Sequence, residues 1–134
     1  AGASVLRAVM PFQVSFKSLL ELRIQRQRVT SLPNCLGTLR KVQVLDLTGN
    51  LLCELPESVG GMRALRELFV SGNALTTLPN ELAQLRSFKV LAAQGNAFGQ
   101  LPEVVSRCSR LTHLRFGAQS VPERAINRRN AVAT

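Results

Sequence analysis

Residues 44–50 read Val-Leu-Asp-Leu-Thr-Gly-Asn, and the same pattern returns as Glu-Leu-Phe-Val-Ser-Gly-Asn at 67–73 and as Val-Leu-Ala-Ala-Gln-Gly-Asn at 90–96. Each copy begins 23 residues after the one before it. Leu-Pro pairs follow the same period, at Leu32-Pro33, Leu55-Pro56, Leu78-Pro79 and Leu101-Pro102. A fixed period of this length predicts short structural units that stack side by side into a solenoid.

Two apolar spacings recur within each unit. In the unit that begins at Val42, Leu45 and Leu47 are separated by one residue, as in a short strand with one face in the core. Val59 and Met62 are three residues apart, which fits one turn of α-helix or 3₁₀ helix. The proline that separates these segments lacks an N–H and fixes φ, so it indicates a turn or the first turn of a helix. We therefore predict a strand, a turn and a short helical return in each unit, with leucine columns in one shared core.

An asparagine follows each central strand, at Asn50, Asn73 and Asn96, and a glycine precedes each asparagine. Where the chain bends away from the strand, backbone N–H and C=O groups point inward and need partners. An asparagine side chain offers two donors and an acceptor, so we expect it to bond loop backbone in its own and the adjacent unit. The first and last units carry Gln27 and Gln119 at this position, as terminal repeats are commonly atypical.

The repeated segments and the Leu-Pro pairs resemble the leucine-rich repeat family over residues 19–122. The 23-residue length is similar to the intracellular subgroup that includes Scribble, Erbin, the Ras suppressor and plant Ras-group repeat proteins. The resemblance implies an α/β leucine-rich repeat solenoid, with a short parallel β-sheet on the concave side and short helical or 3₁₀ returns on the convex side. It also implies a role in protein–protein interaction.

The same resemblance divides the chain into three parts. Residues 1–18 are expected to form an N-terminal partial repeat or cap, residues 19–122 about five repeats, and residues 123–134 a basic C-terminal tail. Two positions depart from the family pattern: Ala93 replaces a large core residue, and Arg124 stands where leucine is expected.

The three cysteines, Cys35, Cys53 and Cys108, have neither paired spacing nor metal-ligand spacing. Extracellular members of the family usually have Cys-rich caps, which this sequence does not show. We therefore expect an intracellular, reducing compartment, either the cytoplasm or an organelle matrix such as that of the mitochondrion. Cys108 occupies a leucine position and is expected to be a small core residue. The sequence has no apolar run of 18 residues, so we expect no membrane span.

The net charge of +9 is unevenly distributed: residues 1–41 carry +6, residues 42–106 carry −2 and residues 107–134 carry +5. The basic ends could bind RNA phosphate, an acidic protein or an anionic lipid surface, or they could simply prevent end-to-end stacking of terminal repeats. Arg40, Arg63 and Arg86 share one repeat position, which we interpret as a solvated edge. The candidate contacts to RNA or an acidic partner are Arg28, Arg107, Arg110, Arg124, Arg128 and Arg129.

Nothing in the sequence indicates catalysis, a cofactor, a metal site or a small-molecule substrate. His113 is the single histidine, and the repeat places no nucleophile and acid beside it. The acidic residues are scattered, and no glycine-rich phosphate loop is present. Because Trp and Tyr are absent, base stacking on RNA is not expected, which leaves contact with the RNA backbone.

Alternation along the strands predicts which side chains face the concave surface. Phe69 is central there, among charged residues, and is either an exposed anchor for a partner or covered by a neighbour. We expect a non-catalytic scaffold that binds a protein partner within a larger assembly. The alternative is a structural subunit of a ribonucleoprotein, such as an organelle ribosome, with its Arg-rich ends on RNA. The candidate partner-binding residues are Arg23, Arg26, Asp46, Arg66, Glu67, Phe69, Lys89 and Arg115.

Overall fold

A computed structural model of the chain describes residues 19–117 and the backbone of residues 119–121. In this part of the chain, six short strands form one sheet in sequential order. They are β1 (Glu21–Arg23), β2 (Val44–Asp46), β3 (Glu67–Phe69), β4 (Val90–Ala92), β5 (His113–Phe116) and β6 (Gln119–Val121). A 3₁₀ helix separates each of the first four strands from the next, at Asn34–Thr38, Glu57–Gly61, Asn80–Gln84 and Glu103–Arg107.

The first five strands pair in parallel with a constant offset of one repeat. Leu22 pairs with Leu45, Leu45 with Leu68, Leu68 with Leu91, and Leu91 with Leu114. This register confirms the predicted leucine columns, because equivalent residues of successive units lie side by side. Because side chains alternate along each strand, the residues directly before and after these leucines face the opposite, concave side of the sheet.

One continuous core lies between the sheet and the 3₁₀ helices. The sheet contributes the columns that contain Leu45 and Leu47, both without solvent exposure. The helical side contributes Leu36, Val59, Leu82 and Val105, one from each helix. No unit could bury these residues alone, so the stacking of units supplies most of the apolar burial that stabilises the fold.

Each proline of a Leu-Pro pair directly precedes a 3₁₀ helix. Pro33 has φ −73° and ψ 152°, and its carbonyl oxygen accepts a hydrogen bond of 3.1 Å from the backbone N–H of Leu36. The other three units repeat this turn with their own proline. Proline suits the position because its missing N–H is not needed there, and this confirms the predicted turn into a helical return.

Glycines allow the first two 3₁₀ helices to pack closely. A Cβ atom added to Gly37 would lie 2.4 Å from the carbonyl oxygen of Ser58, and one added to Gly61 would lie 2.9 Å from the carbonyl oxygen of Gly37. Both positions therefore require the absence of a side chain. The Ser58 hydroxyl oxygen is buried nearby and has no hydrogen-bond partner among the described residues.

Asparagine side chains connect consecutive units, as predicted. The Asn50 amide donates to the carbonyl oxygens of Ile24 (2.7 Å) and Leu47 (2.8 Å), and its oxygen accepts from the backbone N–H groups of Gln27 (2.9 Å) and Val29 (3.1 Å). Asn73 and Asn96 each bond one carbonyl of the preceding unit, two of their own unit and one N–H. These amides satisfy backbone groups that the bend would otherwise leave unpaired.

The last unit differs from the expected repeat. Residues 119–121, which the repeat pattern aligns with Asn50 to Leu52, form β6 antiparallel to β5 instead of a bend away from the sheet. The left-handed residue comes one repeat position earlier here, at Gly117 with φ 69°, than at Gly49, Gly72 and Gly95, and it lies in the short hairpin connection between β5 and β6. The predictions for residues 1–18 and for Arg124, Arg128 and Arg129 lie outside the described residues.

An aromatic pair closes this end of the core. The rings of Phe98 and Phe116 lie 5.4 Å apart between centroids and pack against the buried cluster. Phe116 occupies the same repeat position as Ala93, which lies one unit earlier and is buried. A large residue thus follows the small one along the same column.

Candidate functional site: the concave face

Three rows of side chains cross the concave face, because the strands are in register and about 4.8 Å apart. The row at the fifth repeat position is Arg23, Asp46, Phe69, Ala92 and Arg115. The row before it is Glu21, Val44, Glu67, Val90 and His113, and the second repeat position adds Leu20, Gln43, Arg66, Lys89 and Thr112. The structure therefore brings seven of the eight predicted partner-binding residues onto these three rows, with Arg26 just beyond the end of β1.

Asp46 is the centre of a polar network on β1 and β2. Its carboxylate accepts from Arg23 Nη1 (3.3 Å), from Gln25 Nε2, and from the Thr48 hydroxyl (2.6 Å) and backbone N–H (3.1 Å). Only 4% of the residue is exposed. Asp46 is one of the predicted partner-binding residues, and its oxygens also accept hydrogen bonds within the chain, where they hold Arg23 and Gln25 beside it.

Two opposing effects act on the Asp46 carboxyl group. Burial alone raises its pKa, but the hydrogen bonds from Thr48 and Gln25 and the charge of Arg23 outweigh burial, so the pKa is lowered from its ordinary value of 3.8. The carboxylate is therefore ionised at neutral pH. Sequence reasoning missed this network, although oppositely charged residues at the same repeat position in adjacent units, Arg23 and Asp46, were a signal for it.

Arg26 and Arg28 have backbone conformations that are unusual for arginine. Their φ angles are 53° and 57°, whereas the equivalents of Arg26 in the next three units are glycines with φ between 67° and 75°. A residue with a Cβ atom is disfavoured there by about 1 kcal/mol or more relative to glycine. Both arginine side chains are exposed at the first bend, so strain and positive charge coincide at this corner of the concave face.

The centre of the face is less polar than its borders. Phe69 is half-buried. It is therefore neither the fully exposed anchor nor the fully covered residue that the two predictions describe. Its row neighbour on β4 is Ala92, and Val90 lies at the third repeat position of the same strand. Ala92 is buried and Val90 is half-buried, so the area beside the ring is apolar and only partly exposed, with half-buried Glu67 next to it on β3.

The remaining predicted residues surround this area. Arg66, Lys89 and Arg115 are all exposed. Among the described residues, only Arg23 forms salt bridges, with Glu21 (3.2 Å) and Asp46 (3.3 Å). The exposed border of the concave face is thus mainly basic, which favours an acidic partner surface.

The three candidate RNA contacts among the described residues do not form one surface. Arg28, Arg107 and Arg110 are exposed, but Arg28 lies at the first bend, Arg107 at the end of the fourth 3₁₀ helix and Arg110 in the turn before β5. Arg107 donates a hydrogen bond of 2.9 Å from Nη2 to Asn80 Oδ1. The other three candidates lie outside the described residues.

The cysteines differ in their surroundings. Cys53 is exposed, Cys35 is half-buried and Cys108 is buried, which confirms Cys108 as a core residue. The Cys108 thiol donates to the carbonyl oxygen of Val104 (3.4 Å), and burial raises its pKa to about 11. In the described part of the chain, no group of three or more His, Cys, Asp or Glu side chains could hold a metal ion.

A shallow acidic groove lies on the side of the solenoid where the 3₁₀ helices begin. It has a volume of about 530 Å³ and lies between the second and third Leu-Pro turns, where its lining includes Glu54, Glu57 and Glu81. Its residues lie at the beginnings of the 3₁₀ helices.

No described helix is long and apolar enough to cross a membrane.

A family model described as a leucine-rich repeat region matches residues 14–115, most of the chain. The chain belongs to the leucine-rich repeat family. Proteins with this repeat typically serve as non-catalytic interaction scaffolds. No curated protein sequence matches the chain.

Solved leucine-rich repeat structures are similar to this protein. One is a leucine-rich repeat protein from Leptospira interrogans, with a TM-score of 0.69, 27% identity, and coverage of 83% of this chain and 29% of that one. A chain of the BIR3–SERK2 complex from Arabidopsis thaliana has a TM-score of 0.61 and 29% identity, over 74% of this chain and 54% of that one. An internalin from Listeria monocytogenes, at 19% identity and a TM-score of 0.72, over 87% of this chain and 35% of that one, supports the fold alone. This chain thus spans between 29% and 54% of these proteins' lengths.

Proposed function

We propose that this leucine-rich repeat protein is a non-catalytic scaffold that binds a protein partner through its concave face, within a larger assembly. The observation that carries the proposal is the half-buried Phe69 ring beside Ala92, in the middle of a face whose border is basic. Protein interfaces concentrate their binding energy in such central aromatic anchors, while charged borders set orientation and association rate. One solved neighbour is a chain of a protein–protein complex, which is consistent with this use of the fold.

The charges indicate what kind of partner would fit. Arg23, Arg26, Arg66, Lys89 and Arg115 are exposed on or beside the face. Glu21 and Glu67 offset only part of their charge, and the Asp46 carboxylate is already bonded. We therefore expect a partner with an apolar side chain at its centre and acidic residues around it.

The test is affinity capture of the natural partner by the purified protein, with binding measured by surface plasmon resonance. Phe69→Ala is expected to weaken binding by about 30-fold or more, which corresponds to the 2 kcal/mol that defines a hot spot. Arg66→Glu reverses an exposed charge on the same face and is expected to weaken binding without unfolding the protein. Leu51→Ala is the matched control, because Leu51 is 53% exposed at a bend outside the strands. Unchanged affinity in both face variants, with circular dichroism like that of the wild type, would refute the proposal.

We also propose an intracellular, reducing location and membership of the 23-residue subgroup that resembles Scribble, Erbin and the Ras suppressor. The repeat length, the Leu-Pro pairs and the three free cysteines support this proposal. Localisation of the tagged full-length protein by microscopy and by fractionation tests it. Recovery from the culture medium or from an oxidising compartment would count against it.

A second candidate function is that of a structural subunit of a ribonucleoprotein. It is favoured by the excess of positive charge, which reaches +9 over the whole chain. Under this hypothesis, the native protein sediments with RNA in sucrose gradients and nuclease treatment releases it. Sedimentation that is unaffected by nuclease would eliminate this function.

A further inference from the structure

We infer that the turns preceding the strands form a binding site for the phosphate backbone of single-stranded nucleic acid. The site is a basic band of five exposed side chains: Arg40, Lys41, Arg63, Arg86 and Arg110. It lies apart from the row that contains Phe69, so it does not depend on the concave face binding a protein. It gives the ribonucleoprotein candidate a basic surface within the part of the chain that the structure describes.

The repeat aligns these charges in a line. Each belongs to a turn between the end of a 3₁₀ helix and the next strand, and the strands that follow the turns are in register. Successive turns are therefore about 4.8 Å apart, and four of them span about 14 Å. Exposed Arg66 and Lys89 stand at the border between the band and the concave face and extend the positive charge.

Hydrogen bonds hold the backbone beneath the band, so the points from which these side chains extend are fixed. The backbone N–H of Arg40 donates to the carbonyl oxygen of Thr38 (2.9 Å), and that of Arg63 donates to Gly61 (2.9 Å). In the part of the chain that the structure describes, none of the five side chains forms a salt bridge. A ligand would therefore not have to displace an existing acidic partner among these residues.

The band favours a uniformly charged polymer over a protein. The four segments that carry it, residues 39–43, 62–66, 85–89 and 108–112, contain no acidic residue. All their large apolar residues are buried, including Met62 and Phe88. A protein partner would find no apolar anchor here, whereas a phosphate backbone needs only charge and the guanidinium fork that four of the five residues supply. With no exposed aromatic residue, the band would bind regardless of base sequence.

The acidic residues lie elsewhere, which strengthens the field of the band. Glu54, Glu57 and Glu81 line the groove at the beginnings of the 3₁₀ helices, whereas the band follows the ends of those helices. A polyanion is thus attracted to one edge of the solenoid and repelled from the other. The same separation would allow the acidic edge of a second copy to compete for the band, and the test must detect that outcome.

The experiment measures fluorescence anisotropy of a labelled 20-nucleotide oligouridine with the full chain, between 50 and 200 mM KCl. Five phosphate contacts predict a slope of log K against log salt of about −3.5, or roughly a 100-fold loss of affinity over this range. The double variant Arg63→Ala/Arg86→Ala is expected to reduce the slope by about 1.4 and to weaken binding at 50 mM KCl.

The matched control is Arg26→Ala/Arg115→Ala, which removes the same charge from exposed positions that are neither in the band nor among the candidate RNA contacts. It should leave the slope within about 0.5 of the wild-type value. Equal effects of the two double variants would mean attraction by net charge alone and would overturn the inference. Equally tight binding of a polyglutamate peptide of matched charge would assign the band to acidic protein instead. Salt-dependent self-association in sedimentation velocity would make the band a contact between copies of the chain. No binding at 50 mM KCl would mean that the band is only a solvated edge. Either result would overturn the inference.

Discussion

Replacement of Asn50 by alanine tests the claim that side-chain amides join the repeats. Asn50 is 3% exposed and makes four hydrogen bonds to backbone groups. Two of those partners, the N–H of Val29 and the carbonyl of Leu47, are bonded in buried surroundings. Each buried group left unpaired costs about 1–3 kcal/mol, so Asn50→Ala should lower the free energy of unfolding by about 2–6 kcal/mol. A small domain has about 5–15 kcal/mol in total, so the variant should be marginally folded.

The assay is urea unfolding followed by circular dichroism, with Asn96→Ala and Asn80→Ala measured in parallel. Asn96 accepts one backbone N–H where Asn50 accepts two, so its replacement should cost less. Asn80 is exposed and bonds only the Arg107 side chain, so the same chemical change there should stay within about 0.5 kcal/mol of wild type. If Asn50→Ala cost no more than Asn80→Ala, the amides would not be stabilising the stack and the reasoning would fail.

Three further predictions follow from the packing and the ionisable groups. Gly37→Ala should lower stability by about 1–3 kcal/mol in a melting experiment, because the new methyl group meets a carbonyl oxygen of the next helix. Gly99→Ala is the control and should be near neutral, because no atom lies within 4 Å of the added Cβ atom. Cys53 should react with a colorimetric thiol reagent at pH 8 within minutes while Cys108, with its pKa of about 11, reacts only after unfolding; equal rates would contradict its burial. The folded pKa of Asp46 is lowered, so its stabilising contribution is complete above its ordinary pKa of 3.8 and is lost as pH falls through the folded value. The stability difference between wild type and Asp46→Asn should therefore shrink between pH 6 and pH 2 in urea unfolding, and a constant difference would argue against the network.

The period of the sequence was sufficient to predict the fold. Leu45 and Leu68 had to lie side by side once successive units were stacked, because a repeat of fixed length gives every strand pair the same register. The roles of the prolines and of Asn50 followed from their hydrogen-bonding groups alone. These features depend on local chemistry that each unit repeats.

Features that depend on a single unit could not be predicted in the same way. The repeat pattern continues through Gln119, yet the chain pairs back onto β5 there, with its left-handed glycine one repeat position earlier than in the central units. The burial of Asp46 depends on side chains from the neighbouring unit that the period does not specify. The requirement for glycine at position 37 arises from the distance between two helices, which no residue spacing encodes.

The asparagine bonds also determine how this molecule would respond to mechanical load. Asn50, Asn73 and Asn96 clamp the first three junctions between units, but among residues 19–117 no fourth amide spans the last junction, where the rings of Phe98 and Phe116 meet instead. Directional hydrogen bonds oppose sliding of one unit against the next, whereas contact between rings is non-directional and permits it. When the solenoid is pulled at its two ends, the C-terminal junction should therefore separate first, while the other three junctions stay intact.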